Sequence, residues 1–304
     1  MSLVTVGTVA FDSIETPFGK VEKVIGGACT YISWAASYFT DDIKLVSIVG
    51  DDFPADEIQL LNSRGVDTQG LEVVEGAKSF FWAGRYHDDL NSRDTLATEL
   101  NVLAQFDPVL PDSYRNADYL MLGNLTPEIQ MKVIRQMAKR PRLVALDTMN
   151  FWMDTAWDSL LEVIKEVDLL SINDEEARQL SGEYSLVLAA DKILEMGPKY
   201  LCIKKGEHGA LLMGENRMFF APALPLALVK DPTGAGDTFA GGMMGYMARS
   251  KEVNFDTLKS AMIYGSAMAS FCVEDFSLSR IKTLNDAQVK ERLQAFKTLT
   301  HFDI

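Results

Sequence analysis

The segment richest in chemistry is Asp231-Pro232-Thr233-Gly234-Ala235-Gly236-Asp237-Thr238. Gly234 and Gly236 let the backbone approach a ligand closely and accept positive φ. The helix predicted over 236–249 begins with unpaired N–H groups. Together with the helix dipole these make an anion site. Asp237 falls in that first turn, where it is either a helix-start acid or a proton acceptor beside a bound phosphate. Helix N–H groups favour the charged form of a carboxylate, so Asp237 is expected to stay ionised.

Competing chemistries lack their residues. A Walker A loop needs Gly-x-x-x-x-Gly-Lys-Ser/Thr, and no such string occurs. A dinucleotide fingerprint needs a third glycine where Phe239 stands, and its acidic partner, Asp256, lies beyond the predicted helix. No Gly-x-Ser-x-Gly elbow is present. His87, His208 and His301 form no pair with metal-ligand spacing. Cys29, Cys202 and Cys272 are odd in number and widely spaced, which fits a reducing cytoplasm without a disulfide framework.

The elements that must hold this segment alternate strand and helix. Strands are predicted over 3–9, 43–49, 118–122, 143–147, 168–173 and 200–203. Helices are predicted over 28–39, 54–64, 127–139, 154–165, 175–180, 185–196, 236–249, 255–272 and 286–297. A hairpin is expected at 210–213 and 217–220. This order predicts an α/β fold: a doubly wound, mainly parallel sheet covered by helices, in a single domain over 1–304. Such sheets bind ligands beyond the carboxyl ends of their strands. Asp12, Asp147, Asn173 and Lys205 all lie at or just after predicted strand ends. Two segments, 14–24 and 66–100, break the alternation with short strands and turns and no crossover helix. They predict a small β-sheet beside the main body.

The chain has 304 residues, 43 acidic and 29 basic side chains, and a net charge of −14. A pI near 4.7 argues against nucleic-acid and anionic-membrane partners, both of which attract basic surfaces. No stretch reaches the roughly 18 apolar residues of a membrane helix. No signal peptide is expected from the first residues, so the expected location is the cytoplasm.

The segment 231–237, continued as Thr238-Phe239-Ala240-Gly241-Gly242, resembles the C-terminal signature of the ribokinase-like (PfkB) carbohydrate and nucleoside kinases. Gly26-Gly27 resembles that family's N-terminal glycine pair. Asn173-Asp174-Glu175-Glu176 resembles its Asn-x-x-Glu motif, and Lys205-Gly206-Glu207-His208-Gly209 its later Gly-x-x-Gly segment. The motifs stand in family order across almost the whole chain, and segments 14–24 and 66–100 fall where the family carries its lid. The resemblance implies transfer of the γ-phosphoryl group of ATP to a substrate alcohol. It implies Asp237 as base, with Gly234, Ala235 and Gly236 as the anion hole. It implies Asp12, Gly26 and Gly27 on substrate hydroxyls, and Asn173 and Glu176 organising Mg²⁺ through water. Lys205, Gly206, Gly209, Asn173 and Thr233 would border the nucleotide, and Asp231 and Thr233 would contribute to a monovalent-cation (K⁺) site as in some relatives. ATP binding is then expected to depend strongly on Mg²⁺.

Alternatives stay open at this point. Asn173 and Glu176 also have the spacing of a capping box. Phe151, Trp152 and Met153 stand where many family members carry an arginine after the matching Asp-x-Asn, so no arginine clamp on phosphate is expected from the 147–150 loop. A sugar or sugar-like polyol is the preferred acceptor. A nucleoside is the alternative, its base in a slot beneath the lid for which the lid aromatics and Cys29 are candidates. For Phe80, Phe81, Trp82 and Tyr86 the preferred reading is packing of one face on the main domain or on a second subunit's lid, and the alternative is stacking of one aromatic on a sugar face or nucleobase. A noncatalytic sugar-binding regulator is a third reading, and a homodimer through the lid is expected as an option.

Overall fold

The computed structural model describes residues 1–250, 252–301 and 303. The chain opens with β1 (Leu3–Val6), β2 (Ala10–Thr16), β3 (Gly19–Gly26), α1 (Ala28–Ala36), β4 (Ile43–Gly50), α2 (Ala55–Ser63) and β5 (Val66–Val74). It continues through β6 (Phe80–Tyr86), β7 (Arg93–Glu99), β8 (Tyr119–Leu122), α3 (Pro127–Gln136), β9 (Leu143–Asp147), α4 (Asn150–Thr155), α5 (Trp157–Glu166) and β10 (Leu169–Asn173). It closes with α6 (Asp174–Ser181), α7 (Leu186–Glu195), β11 (Tyr200–Lys204), β12 (Ala210–Gly214), β13 (Arg217–Ala221), α8 (Ala235–Arg249), α9 (Phe255–Cys272), α10 (Ser279–Lys282) and α11 (Asp286–Thr300).

Nine strands form the main sheet in the order β13-β12-β11-β10-β9-β8-β1-β4-β5. All are parallel except the β11-β12-β13 meander. The central strands are apolar on both faces, because helices cover both. In β1, Leu3 joins a core shared with α1, α8 and α9, while Val4 and Val6 join a second core shared with α3, α5, α6 and α7. The helix expected over 154–165 is two helices, with the break at Ala156. No described helix is long and apolar enough to cross a membrane.

The second sheet has the order β3-β2-β6-β7. It corresponds to the expected lid but with different boundaries. Val66–Val74 was expected in the lid; instead it pairs in parallel with β4 in the main sheet, with α2 as the crossover. The cause is its edge position: only one face is buried, so the segment lacks the continuous apolar run of a central strand. The lid strand β2 likewise starts earlier than expected, at Ala10.

Glycines set the distance between α1 and α8. A Cβ at Gly241 would stand 2.3 Å from the Ile32 carbonyl oxygen. Only glycine allows α8 this close to α1. The close packing fixes the start of α8, and with it Asp237, beside the start of α1, which carries Gly27.

Candidate active site

Strands β9, β10 and β11 lie side by side and end in Asp147, Asn173 and Lys204. Asn173 is the register partner of Lys204. The Lys204 ammonium donates to Asp147 Oδ1 at 2.9 Å, and both side chains are largely buried. The same ammonium lies against the start of α8, where a Cβ on Gly236 would stand 3.3 Å from Nζ. Burial alone would lower the lysine pKa. Asp147, Glu176 and Asp237 outweigh it and hold the ammonium well above the usual lysine range. A fixed positive charge therefore sits at the mouth of the helix N-terminus.

Gly234 caps α8 at φ 74°, in the left-handed region. A side chain there would meet the Tyr31 ring at 2.5 Å, so both the turn and the packing require glycine. Asp237 follows in the first turn. Its carboxyl is not held in the ordinary ionised range expected from the helix N–H groups. Burial, reinforced by Asp147, pushes its pKa up to about 7, against the opposing pull of Lys204 and Arg93. The expectation failed because the helix dipole is a smaller effect here than desolvation beside a second carboxylate. A carboxyl at about 7 is well matched to accepting a proton near neutral pH.

Asp12, Gly26 and Gly27 come together where the lid meets the body. Asp12 is buried, and no side-chain donor reaches its carboxylate among the described residues. Burial, then Asp231 and Asp237, raise its pKa to about 7, while the Gly27 N–H opposes them. Gly27 stands at φ 91° and caps α1. At Gly26 a Cβ would lie 1.9 Å from Asp12 Oδ2. The Gly26→Ala variant is expected to fold but to displace the Asp12 carboxylate. If Asp12 holds the acceptor, losing that charged hydrogen bond raises the acceptor KM by about tenfold or more. Steady-state kinetics with each substrate varied checks this, since KM for the nucleotide should be unchanged.

Asn173 and Glu176 form a complete capping box. Asn173 Oδ1 accepts from the Glu176 N–H at 2.8 Å, and Glu176 Oε2 accepts from the Asn173 N–H at 2.7 Å. Glu176 is buried, which raises its pKa to about 7; Lys204 is the largest opposing influence, and Asp147 adds to the rise. No cluster of three or more His, Cys, Asp or Glu side chains fit to hold a metal occurs among the described residues. Asp231, the candidate monovalent-cation ligand, accepts the Thr233 and Ser277 N–H groups at 2.9 Å each, which ties the two segments together.

Lys205, Gly206 and Gly209 shape the turn between β11 and β12, where the Lys205 N–H donates to the Gly209 carbonyl at 2.8 Å. The cation that enters the carboxylate cluster is Lys204, not Lys205. Thr233 turns toward the lid, its hydroxyl 3.2 Å from the Tyr86 hydroxyl. The lid also meets the body at Thr16, which donates to the Lys230 carbonyl at 2.9 Å. At the lid tip, a Cβ on Gly206 would lie 2.9 Å from Asn91 Oδ1. Sequence reasoning did not find Lys204 or Arg93. A signal for Lys204 existed: the two neighbouring strands end in Asp147 and Asn173, and extending β11 by one residue ends it in Lys204. Arg93 carried no comparable signal.

The 147–153 loop supplies no cation. Asn150 bonds Gln179, and the Trp152 indole N–H donates to Asn124 Oδ1 at 2.8 Å.

A helix-start carboxyl, a glycine-containing turn at a helix N-terminus, a buried lysine and a neighbouring lid are thus brought together. The pattern of the pfkB family carbohydrate kinases matches residues 2–283. The chain belongs to this family. It is a kinase that transfers a phosphoryl group to an alcohol of a sugar or nucleoside. It is 30% identical over 256 residues to a cytidine kinase of Thermococcus kodakarensis, covering 83% of this chain and 90% of that protein. It is 24% identical over 302 residues to a nucleoside kinase of Methanothermobacter thermautotrophicus, covering 90% and 89%. Its fold is that of the Methanocaldococcus jannaschii nucleoside kinase, a ribokinase-family structure, with a TM-score of 0.77, 22% identity and coverage of 97% and 98%.

Proposed function

We propose that this kinase phosphorylates a hydroxyl of the ribose of a nucleoside, with ATP as donor and Asp237 as base. The observation that favours a nucleoside over a free sugar is the placement of Trp82. It is the register partner of Asp12, so both side chains share the inner face of the lid. Its ring lies over Gly84, where a Cβ would stand 2.1 Å from the indole Cη2. Its N–H reaches Thr95 Oγ1 at 3.4 Å. An indole beside a carboxylate that would hold ribose hydroxyls is a platform for a base. The names of the two relatives above agree with this reading.

In the proposed reaction other hydroxyls of the ribose rest on Asp12 with Gly26 and Gly27, and the reacting hydroxyl faces Asp237. Its oxygen attacks the γ-phosphorus while the bond to the β–γ bridging oxygen breaks, and ADP leaves with that electron pair. The hydroxyl proton passes to Asp237. The N–H groups after Gly234, with Lys204, balance charge on the phosphoryl oxygens. Mg²⁺ suits this donor set through water on the remaining oxygen of Glu176, because this ion keeps several waters and takes few protein ligands. When bound, it supplies charge neutralisation on the nucleotide phosphates.

A panel of nucleosides and free sugars, read by ADP release and product mass, tests the acceptor. Nucleosides should be turned over with at least about tenfold higher kcat/KM than ribose, because base stacking is worth roughly 1–3 kcal/mol. Trp82→Leu should erase most of that gap without lowering turnover of ribose. Turnover of free sugars alone would overturn the nucleoside reading.

A further inference from the structure

The loop after Asp147 brings no cation to the site. We propose that Arg93, on lid strand β7, is a catalytic residue that binds the phosphoryl group during transfer. The inference rests on the phosphotransfer reading above.

Three observations carry it. The first is strand register. Arg93 is the antiparallel partner of Tyr86, so the two side chains leave the sheet on the same face. Tyr86 is held against Thr233, the residue before Gly234, by the 3.2 Å hydroxyl contact. Arg93 therefore projects from the lid toward the start of α8. Its field reaches both the Asp237 and Glu176 carboxyls and draws each toward its ionised form, against burial.

The second observation is the pairing of the neighbouring charges. On the opposite face of the lid, Arg85 is paired with Glu15. The exposed His87 pairs with Asp94. The Arg93 side chain makes no hydrogen bond or ion pair among the described residues, and the residue is exposed. A cation aimed at a carboxylate cluster but bound to none of it is available to an incoming anion.

The third is the direction of the other cation. Lys204 approaches the α8 start from the sheet and is already bonded to Asp147. Arg93 approaches from the lid. Charge in a loose phosphoryl transition state is spread over three oxygens, which two cations on opposite sides cover better than one. A planar guanidinium also meets two oxygens at once, which an ammonium does not. Arg93 gains and loses no proton: the proton still goes to Asp237 and the electron pair to ADP.

The test uses the full chain and whichever acceptor wild type turns over. A mistaken acceptor class then appears in wild type and leaves this test intact. Arg93→Ala should lower kcat by about 100-fold or more, with KM for acceptor and for ATP within about threefold. Arg93→Lys should recover part of the loss. Added guanidinium ion should restore part of the Arg93→Ala rate and leave wild type unchanged. In a Tyr86→Phe background the cost of Arg93→Ala should shrink, because the lid contact that aims the arginine is gone. Unchanged kcat, or a loss confined to acceptor KM, would overturn the proposal; the second result would assign Arg93 to an anionic group of the acceptor instead.

Discussion

Asp237→Asn is expected to lower kcat by about 10³-fold, within the 10²–10⁴-fold range that proton acceptors contribute. Asparagine keeps the shape of the side chain and the helix start, and it leaves the N–H groups after Gly234 in place. What it removes is the group proposed to take the hydroxyl proton as the oxygen–phosphorus bond forms. Nucleotide affinity, measured by calorimetry, should therefore stay within about threefold of wild type while turnover collapses. Residual activity should remain, because positioning and charge stabilisation survive the change. Wild-type turnover in the Asn variant would remove Asp237 from the role of base.

The second large effect is expected at Lys204. Its ammonium is bonded to Asp147 and lies within reach of Glu176 and Asp237. Lys204→Met fills similar volume without the charge. It leaves Asp147, Glu176 and Asp237 facing one another, and the electrostatic pull that opposes burial at Asp237 is largely lost. Two consequences follow. At pH 7 kcat should fall by about 10²–10³-fold, the cost of removing one preorganised donor or cation from a phosphoryl site. Part of that loss should return at higher pH, because the variant's Asp237 holds its proton to higher pH than wild type. Breaking a mostly buried ion pair also costs stability, on the order of 3 kcal/mol, which thermal unfolding at neutral pH would register. Lys204→Arg retains the charge and should keep the stability better than the turnover. A Lys204→Met enzyme with wild-type turnover at every pH would show that the lysine is a structural pair for Asp147 alone.

Much of the site was legible because its residues are tied to backbone geometry. Gly234 must be left-handed and Gly26 must leave room for Asp12, so glycines mark both turns in the sequence. The central strands announced themselves by runs apolar on both faces. What stayed hidden depends on register or edges. Lys204 differs from Lys205 only in which residue ends β11, and one residue decides which lysine enters the cluster. Val66–Val74 has one solvated face, so it reads like a lid strand rather than a member of the main sheet. Arg93 acquires meaning only from its pairing with Tyr86, a contact between strands that no local pattern encodes. Asn173 and Glu176 were legible as a motif, yet spacing did not separate capping from metal handling. The capping box is complete, and Glu176 keeps one oxygen outside it.

The net charge of −14 also takes a more local meaning. In the proposed reaction an anionic donor is met by helix N–H groups, by Lys204 from the sheet and by Arg93 from the lid. Several of the carboxylates in the total are gathered at the site, and three of them, Asp12, Glu176 and Asp237, are pushed by burial to about 7.

Because that value is shared, the pH dependence of kcat at saturating acceptor and nucleotide, where binding by Asp12 no longer limits the rate, is the most direct measurement. A base with its pKa raised to about 7 is protonated below that pH and loses its function there. Wild-type kcat should then fall about tenfold per pH unit below about 7 and level off above it. Asp12→Asn and Glu176→Gln should keep this acid limb, while the residual activity of Asp237→Asn should lack it. A wild-type profile flat from pH 5 to 8, or an acid limb that persists in Asp237→Asn, would contradict Asp237 as the proton acceptor.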